Sequence, residues 1–530
     1  FYKPLLEKPF DFKKEETMET DAKKLNYAAD TVALKEQWRM YLKYQTLVRL
    51  NTMIEDAAKA KEKNDTSYHE KSFDEMESAA RDKVRKSNED LFNRLNEIER
   101  QDRFNMYLNV LVNVQDPHTE YFPPADKANY DIAMTGQLTG KGAQLQEKDG
   151  LIKVTSIIAG GPAYRDGRLK AGDMILKVSQ EGGDPVEVTE MRLDKAVQLI
   201  RGKKGTKVKL NIKTADGTIT DIEIVRDVVI IEETYAQSAI INGTEKIGYI
   251  RLPGFYSDFG NGGRDCAIDV KNELTKLKAE KVDGVVLDLR DNGGGSLESV
   301  VKMVGLFIKT GPVVQVKTRT GAPQIMPDND PDVLYDGPLV VMVNENSASA
   351  SEILAAAIQD YKRGIIIGSP TTFGKGTVQR MFNLDDMLNS TYNAIKPLGS
   401  LKVTMQKFYR ISGGSTQLRG VTPDIIVPDL YSFIKYGEKE EDYPMKWDEI
   451  PATPFNKLNN DAEFAKVTSN SAKRISDNKT FNTIKEESIE LKSESETTIV
   501  YLNLLKYKER IKKSKEDNKL MDELIKSITP

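Results

Sequence analysis

With a single cysteine, Cys266, the 530-residue chain can form neither a disulfide within itself nor a thiolate metal cluster, and a buried structural thiol is the expected role. Histidine is almost as scarce. His69 lies in a polar helical stretch and His118 in Asp-Pro-His-Thr, so a Ser-His-Asp triad would have to draw on one of these two. No apolar run approaches the roughly 18 residues that a bilayer crossing needs. Charge of one sign is also missing: the net charge is −4 with acids and bases interspersed, which argues against nucleic acid as the main partner. The glycine run Gly293-Gly294-Gly295 lacks the lysine and hydroxyl continuation of a phosphate loop, so nucleotide is not expected. The residues begin at Phe1 without the charged and apolar regions of a signal peptide, and any export signal is expected either to have been removed or to lie outside these residues.

What is present is a surface-rich chain, 39% hydrophobic and 30% charged, long enough for three or four domains. Residues 1–125 alternate amphipathic helical patterns with charged surface; Leu34, Trp38, Tyr41, Leu42 and Gln45 recur at three- and four-residue spacings, and Phe73 to Val114 continues in helical style. Residues 128–231 have the short strands and glycine turns of a small β-rich module, with a helix expected over Glu190–Ile200. From Thr244 to Asp429 the pattern is α/β. Residues 430–530 are rich in lysine and glutamate at helical spacing and read as a solvated helical extension.

The chemistry concentrates in residues 338–379, which read as strand, turn, helix, strand and glycine loop. Leu339 to Val343 is a continuous apolar run, Asn344-Glu345-Asn346 breaks it, and a helix with Ile353, Leu354, Ala357 and Ile358 on one face follows. A serine where a strand turns into a helix sits among unpaired backbone N–H groups at the positive end of the helix dipole. An oxyanion would be stabilised there. Three serines compete, Ser347, Ser349 and Ser351. At about 100° per residue Ser347 and Ser351 share a face and Ser349 points the other way, which separates them without choosing. For the base, Lys375 between Gly374 and Gly376 is the better candidate, since burial by close backbones lowers a lysine's pKa toward the range a base needs. Gln379, four residues on, is expected to share a strand face with it.

The segment NSASASE…AAAIQDY…FGKGTVQ resembles the catalytic core of the carboxy-terminal processing, or tail-specific, serine proteases. That resemblance implies Ser349 as nucleophile, Lys375 as base and Gln379 as its support. It also points to Asp360, although 11 residues of helix put Asp360 about 16 Å from Ser349 and make it an anchor of the helix end. The loop Ser369–Phe373 is one residue longer than in many members. The glycine run after Asp288-Leu289-Arg290-Asp291-Asn292 implies an oxyanion donor at Gly294 or Gly295, partnered by the amide of Ala350. Asp116-Pro117-His118-Thr119 matches an element that precedes the family's peptide-binding module, which makes His118 a turn residue rather than a base. Gly420-Val421-Thr422-Pro423-Asp424 matches the run that closes the protease domain.

The β-rich module resembles a PDZ domain, through Gly140-Lys141-Gly142-Ala143, Gly160-Gly161-Pro162-Ala163 and Ala171-Gly172-Asp173. The implied groove uses the loop Gly140, Lys141, Gly142 and Ala143 for a peptide's terminal carboxylate, with Leu193 and Val197 of the following helix lining a side-chain pocket. Lys141 departs from the usual apolar residue, and either adds a cation for the carboxylate or weakens the grip on apolar tails.

The expected architecture is α+β and multidomain: a helical N-terminal domain (1–125), a PDZ-like domain (128–231), an α/β protease core of crotonase/ClpP-like type (232–430) and a charged helical C-terminal domain (431–530). The expected function is hydrolysis of proteins selected by accessible C-terminal tails, without metal or organic cofactor. The larger members imply a periplasmic, cell-envelope location and an adaptor protein as an additional partner. Two rivals come from other classes: a PDZ-based scaffold with a disused core, and an acyl-CoA enzyme on the crotonase architecture.

Overall fold

The computed structural model describes residues 1–148, 150–258 and 263–528. It divides into two units. The first gathers Phe1–Tyr107, Pro428–Lys435 and Lys473–Pro530. Its long helix Thr31–Glu62 starts where Asp30 accepts the N–H groups of Val32 and Ala33, and its helix Phe73–Asn96 starts at a Ser72/Glu75 capping box. The helical pattern expected from Phe73 to Val114 is two helices, the second being Arg100–Asn113. The C-terminal residues do not stand apart as solvated helices. The strand Ile499–Tyr501 pairs antiparallel with Thr17–Glu19, and Tyr507 is buried with Phe12, Leu47, Leu50, Met76 and Ala80.

The second unit holds Leu108–Val427 and Tyr436–Ala472. Its first part is a six-stranded antiparallel sheet whose main path runs Ala143–Lys148, Leu151–Ile157, Met174–Gln180, Lys207–Lys213, Ile219–Val225, with the short strand Val186–Glu187 pairing Met174–Gln180 beside that path. Ala143–Lys148 is an edge strand of that sheet. Alternating burial in Lys207–Lys213 sends Val208, Leu210 and Ile212 into a core shared with Ile152, Val154, Ile175 and Ala196. The helix expected from Glu190 begins at Leu193 and runs to Ile200, because Glu190 has φ +59° and lies outside helical space.

The second part is a six-stranded sheet in the order Gln237–Asn242, Lys246–Arg251, Gly284–Asp288, Leu339–Val343, Ile365–Gly368, Ile425–Ile426. Its first pair is antiparallel and the others are parallel. Helices Cys266–Ala279, Leu297–Gly305 and Ala350–Asp360 make the crossovers, and the burial of Val341, Val343, Leu354 and Ile358 shows why the apolar run and the apolar helix face occur together. Cys266 is a buried free thiol in this core. A further sheet pairs Thr377–Asn383 with Ser400–Tyr409, which also takes Glu120–Phe122 as a neighbour. The expected α+β class, with helical N-terminal residues, a β-rich module and an α/β core, matches what is observed.

Candidate active site

Parallel strands deliver their C-terminal ends to one edge of the sheet, and the loops that follow Gly284–Asp288 and Leu339–Val343 meet there. Asp291 Oδ1 accepts from the side-chain amides of Asn344 and Asn346, at 2.8 and 2.9 Å. Asn292, fully buried, donates to Leu252 O, and its own backbone oxygen accepts from Ser351 Oγ and Ala348 N. These bonds fix the glycine run against the start of the serine helix.

The structure separates the three serines. Ser347 Oγ donates to Leu289 O and Ser351 Oγ to Asn292 O, and both residues are fully buried. Their hydroxyls serve the loop. Ser349 is half-buried and occupies the N-cap of Ala350–Asp360 at φ +56°, ψ −111°. A residue with a Cβ rarely adopts that conformation, and such strain clusters at functional sites. Gly294 makes room for it: at φ +100°, a Cβ there would lie 2.8 Å from Ser349 Cβ and from Ala348 O. The N–H of Gly294 is held by Asn292 Oδ1 at 2.9 Å, whereas no hydrogen bond among the described residues engages the N–H of Gly295 or Ala350.

Glu352, the third residue of the helix, binds serine and lysine loops together. Its Oε2 accepts from Ser349 N at 2.7 Å and from Lys375 N at 3.0 Å; its Oε1 accepts from Gly374 N and Thr372 Oγ1. One carboxylate oxygen therefore holds the backbone nitrogens of Ser349 and Lys375 within two hydrogen-bond lengths of each other. Glu352 is fully buried, and burial pushes its carboxyl up to about 8 against four donors that favour the charged form. Ser-x-x-Glu is the capping-box pattern, a sequence signal that would have singled this residue out.

Lys375 is half-buried, and desolvation, followed by the charge of Lys402, brings its pKa down to about 8 against the opposite pull of Glu438, Glu352 and Asp116. Its loop is fixed from the far side. Gly376 N donates to Gln417 Oε1, Gln417 Nε2 donates to Glu438 Oε1, and Glu438 Oε2 meets His118 Nε2, each at 2.7 Å. A side chain at 376 would find the Gln417 backbone nitrogen 2.7 Å away, so only glycine admits this approach. His118 is thus more than a turn residue: it closes a buried chain of bonds that ends on the lysine loop.

Gln379 is not joined to the Lys375 ammonium. Its amide donates to Thr377 Oγ1 and Thr404 Oγ1, and Thr404 Oγ1 continues to Asp116 Oδ1. The strand begins only at Thr377, so Thr377 and Gln379 share its face while Lys375 lies in the preceding loop. Asp360, at the other end of the helix, is paired with Arg410 at 2.6 Å and accepts from Ser412 Oγ. The remaining predicted residues are in the antiparallel module, with Gly140 closing one strand, Lys141 and Gly142 between strands, Ala143 opening the edge strand, and Leu193 and Val197 half-buried on the helix Leu193–Ile200.

Four family models cover most of the chain: the tail specific protease N-terminal domain matches residues 1–125, the PDZ domain 132–213, peptidase family S41 residues 246–427, and the C-terminal domain of tail specific protease 431–527. A carboxy-terminal-processing protease of Bartonella bacilliformis is 33% identical over 334 residues, which make up 61% of this chain and 71% of that one. The chain belongs to the carboxy-terminal-processing protease family. A second member, the tail-specific protease of Haemophilus influenzae, is 42% identical over 69% of this chain and 52% of its own, so this chain spans about half the length of that relative. Among solved structures, the photosystem II D1 C-terminal processing protease is 26% identical, covering 62% of this chain and 82% of its own with a TM-score of 0.36. In this carboxy-terminal-processing protease family member, Ser349, Glu352, Lys375 and Gly294 all fall inside the S41 match, while His118 falls in the N-terminal match and Glu438 in the C-terminal one. No described helix is long and apolar enough to cross a membrane.

Proposed function

We propose that the chain is a serine endopeptidase that hydrolyses proteins selected by their C-terminal tails, with Ser349 as nucleophile and Lys375 as general base. The observation that carries this reading is the single Glu352 oxygen that accepts from both Ser349 N and Lys375 N, beside a lysine whose pKa is brought down to about 8. At that value a usable fraction of the amine is neutral near pH 7 to 8.

In the proposed reaction a tail lies along the edge strand Ala143–Lys148 and an extended segment enters beside Ser349. Neutral Lys375 Nζ takes the hydroxyl proton, Ser349 Oγ forms a bond to the scissile carbonyl carbon, and the N–H groups of Ala350 and Gly295 donate to the oxyanion. The lysine then gives its proton to the leaving amine, which departs as the C–N bond breaks. A water deprotonated by the same amine attacks the acyl-enzyme and frees Ser349. Gln379 and Asp360 act as supports at a distance, the first through Thr404 and the second by fixing the helix end. Partners in this reading are proteins with accessible C-termini, together with an adaptor protein, and the location is a bacterial cell envelope; both rest on the family likeness.

An unstructured reporter protein with an accessible tail, incubated with the chain and with Ser349→Ala and Lys375→Ala, tests this by mass spectrometry of the fragments. Cleavage lost in both variants is the expected result. Binding without cleavage by the unmodified chain would make it a scaffold, and cleavage persisting in Ser349→Ala would move the nucleophile to another serine.

A further inference from the structure

Lys141 lies in the glycine loop that leads into the edge strand Ala143–Lys148, and the reaction above makes no use of it. It is 3% exposed, and its ammonium has no hydrogen-bond partner among the described residues. The loop cannot easily carry it outward, because Lys141 O and Gly142 O accept from Ala163 N and Ile158 N, at 2.7 and 2.8 Å. The charged group that bears on it is Arg226, another cation, which is itself buried and already committed to Ile200 O, Leu199 O, Lys207 O and Gln180 Oε1. Two of those carbonyls belong to the last turn of the helix Leu193–Ile200. Burial first, and the Arg226 charge second, push the Lys141 pKa well below the lysine range.

Lys43 is a contrasting case within the same chain. It is buried to 1% exposure, and its ammonium donates to Asp11 O and pairs with Glu16 at 2.7 Å. Burying a cation is tolerated when an anion comes with it and is costly otherwise. The position of Lys141, beside an unpaired strand edge of the kind that takes up extended peptides, gives the missing anion an obvious source in the ligand.

We propose that Lys141 is the counter-cation for a carboxylate of the docked tail, so that the module selects tails that bring negative charge to this loop. The proposal rests on the tail-docking reading given above. The carboxylate has two sources, the chain terminus or an acidic last side chain. Because burial disfavours the charged form of the free amine and a paired carboxylate favours it, docking takes up a proton. The complex binds more protons than the free protein between the two pKa values, so affinity rises as pH falls, until the carboxylate itself is protonated near pH 4.

The test uses the full chain carrying Ser349→Ala, so that peptides survive, and fluorescence anisotropy of labelled decapeptides ending in Glu, Gln or Leu as free acids and in Leu as the amide. Lys141→Met, of similar length and apolar, is compared in the same background. If the last side chain is the source, the Glu-ended tail binds about tenfold tighter than the Gln-ended one, and Lys141→Met erases the difference. If the terminus is the source, the preference for acid over amide shrinks about tenfold in Lys141→Met. In either case affinity climbs as pH falls from about 9 to about 6 in the lysine protein and is flat in the variant. Retention by Lys141→Met of both the discrimination and the pH slope would overturn the proposal while leaving tail docking intact. Binding of no tail by either protein would overturn both. An unchanged circular dichroism spectrum of the variant serves as the check on folding.

Discussion

Gly-Lys-Gly occurs at 140–142 and again at 374–376, and the two lysines meet opposite surroundings. Desolvation lowers the pKa of both, and in both a neighbouring cation adds to it, Arg226 for Lys141 and Lys402 for Lys375. Only Lys375 has carboxylates to pull it back, those of Glu438, Glu352 and Asp116, and it stays near 8 where a base can work in both directions. No carboxylate pulls the Lys141 pKa back, and its charged form stays disfavoured until a ligand brings an anion. A glycine bracket buries a lysine; what the lysine then does is decided by residues that come from elsewhere in the chain.

The largest effect should come from removing the titration at Lys375. Lys375→Arg keeps the charge but cannot be deprotonated, and tail cleavage should fall by at least about 10³-fold, measured as kcat/KM on a reporter peptide. Retained activity would mean that the two lysines differ less than their surroundings suggest. Gly294→Ala should cost on the order of 10²-fold in kcat, since its Cβ would lie 2.8 Å from Ser349 Cβ and displace the oxyanion wall; circular dichroism separates this from unfolding.

Glu352→Gln removes one acceptor oxygen and the charge. Cleavage should drop about tenfold, and the acid limb of the pH–rate profile should move below its position near pH 8, because a group that raised the Lys375 pKa is gone. A limb that moves upward would refute the assigned sign. Lys141→Met should be the mildest change and a stabilising one, on the order of 1 kcal/mol near neutral pH, read as slower hydrogen exchange in the strand Met174–Gln180. The native state binds fewer protons at Lys141 than the unfolded chain, so stability of this module rises as pH climbs toward the ordinary lysine range; the variant should lack that slope.

Much of this was readable in the residues themselves. The apolar run Leu339–Val343, its Asn-rich break and the face Ile353, Leu354, Ala357 and Ile358 specify strand, turn and helix because period and burial agree. Choosing among Ser347, Ser349 and Ser351 was beyond helical geometry, since the choice depends on which hydroxyls are spent on Leu289 O and Asn292 O, two loop carbonyls more than 50 residues upstream. Glu352 carried a local signature as the fourth residue of Ser-x-x-Glu. Gln417 and Glu438 carried none: they reach the lysine loop only through bonds spanning 41 and 21 residues, which no periodicity encodes. The expected partnership of Gln379 with Lys375 assumed a strand that begins two residues later than supposed. For Lys141 the departure from an apolar residue was visible, whereas the lack of a hydrogen-bond partner among the described residues was a property of the fold.

In the proposed reaction Ser349 is activated by a neutral Lys375. The most direct test of this activation is the rate of labelling by a serine-directed fluorophosphonate across pH 6 to 10, with the modified residue found by peptide mapping. Label is expected on Ser349 alone, with a rate that rises with pH and levels off above about 8, and Lys375→Met should not be labelled. Label on Ser347 or Ser351, or a rate in Lys375→Met equal to that of the unmodified chain, would contradict it.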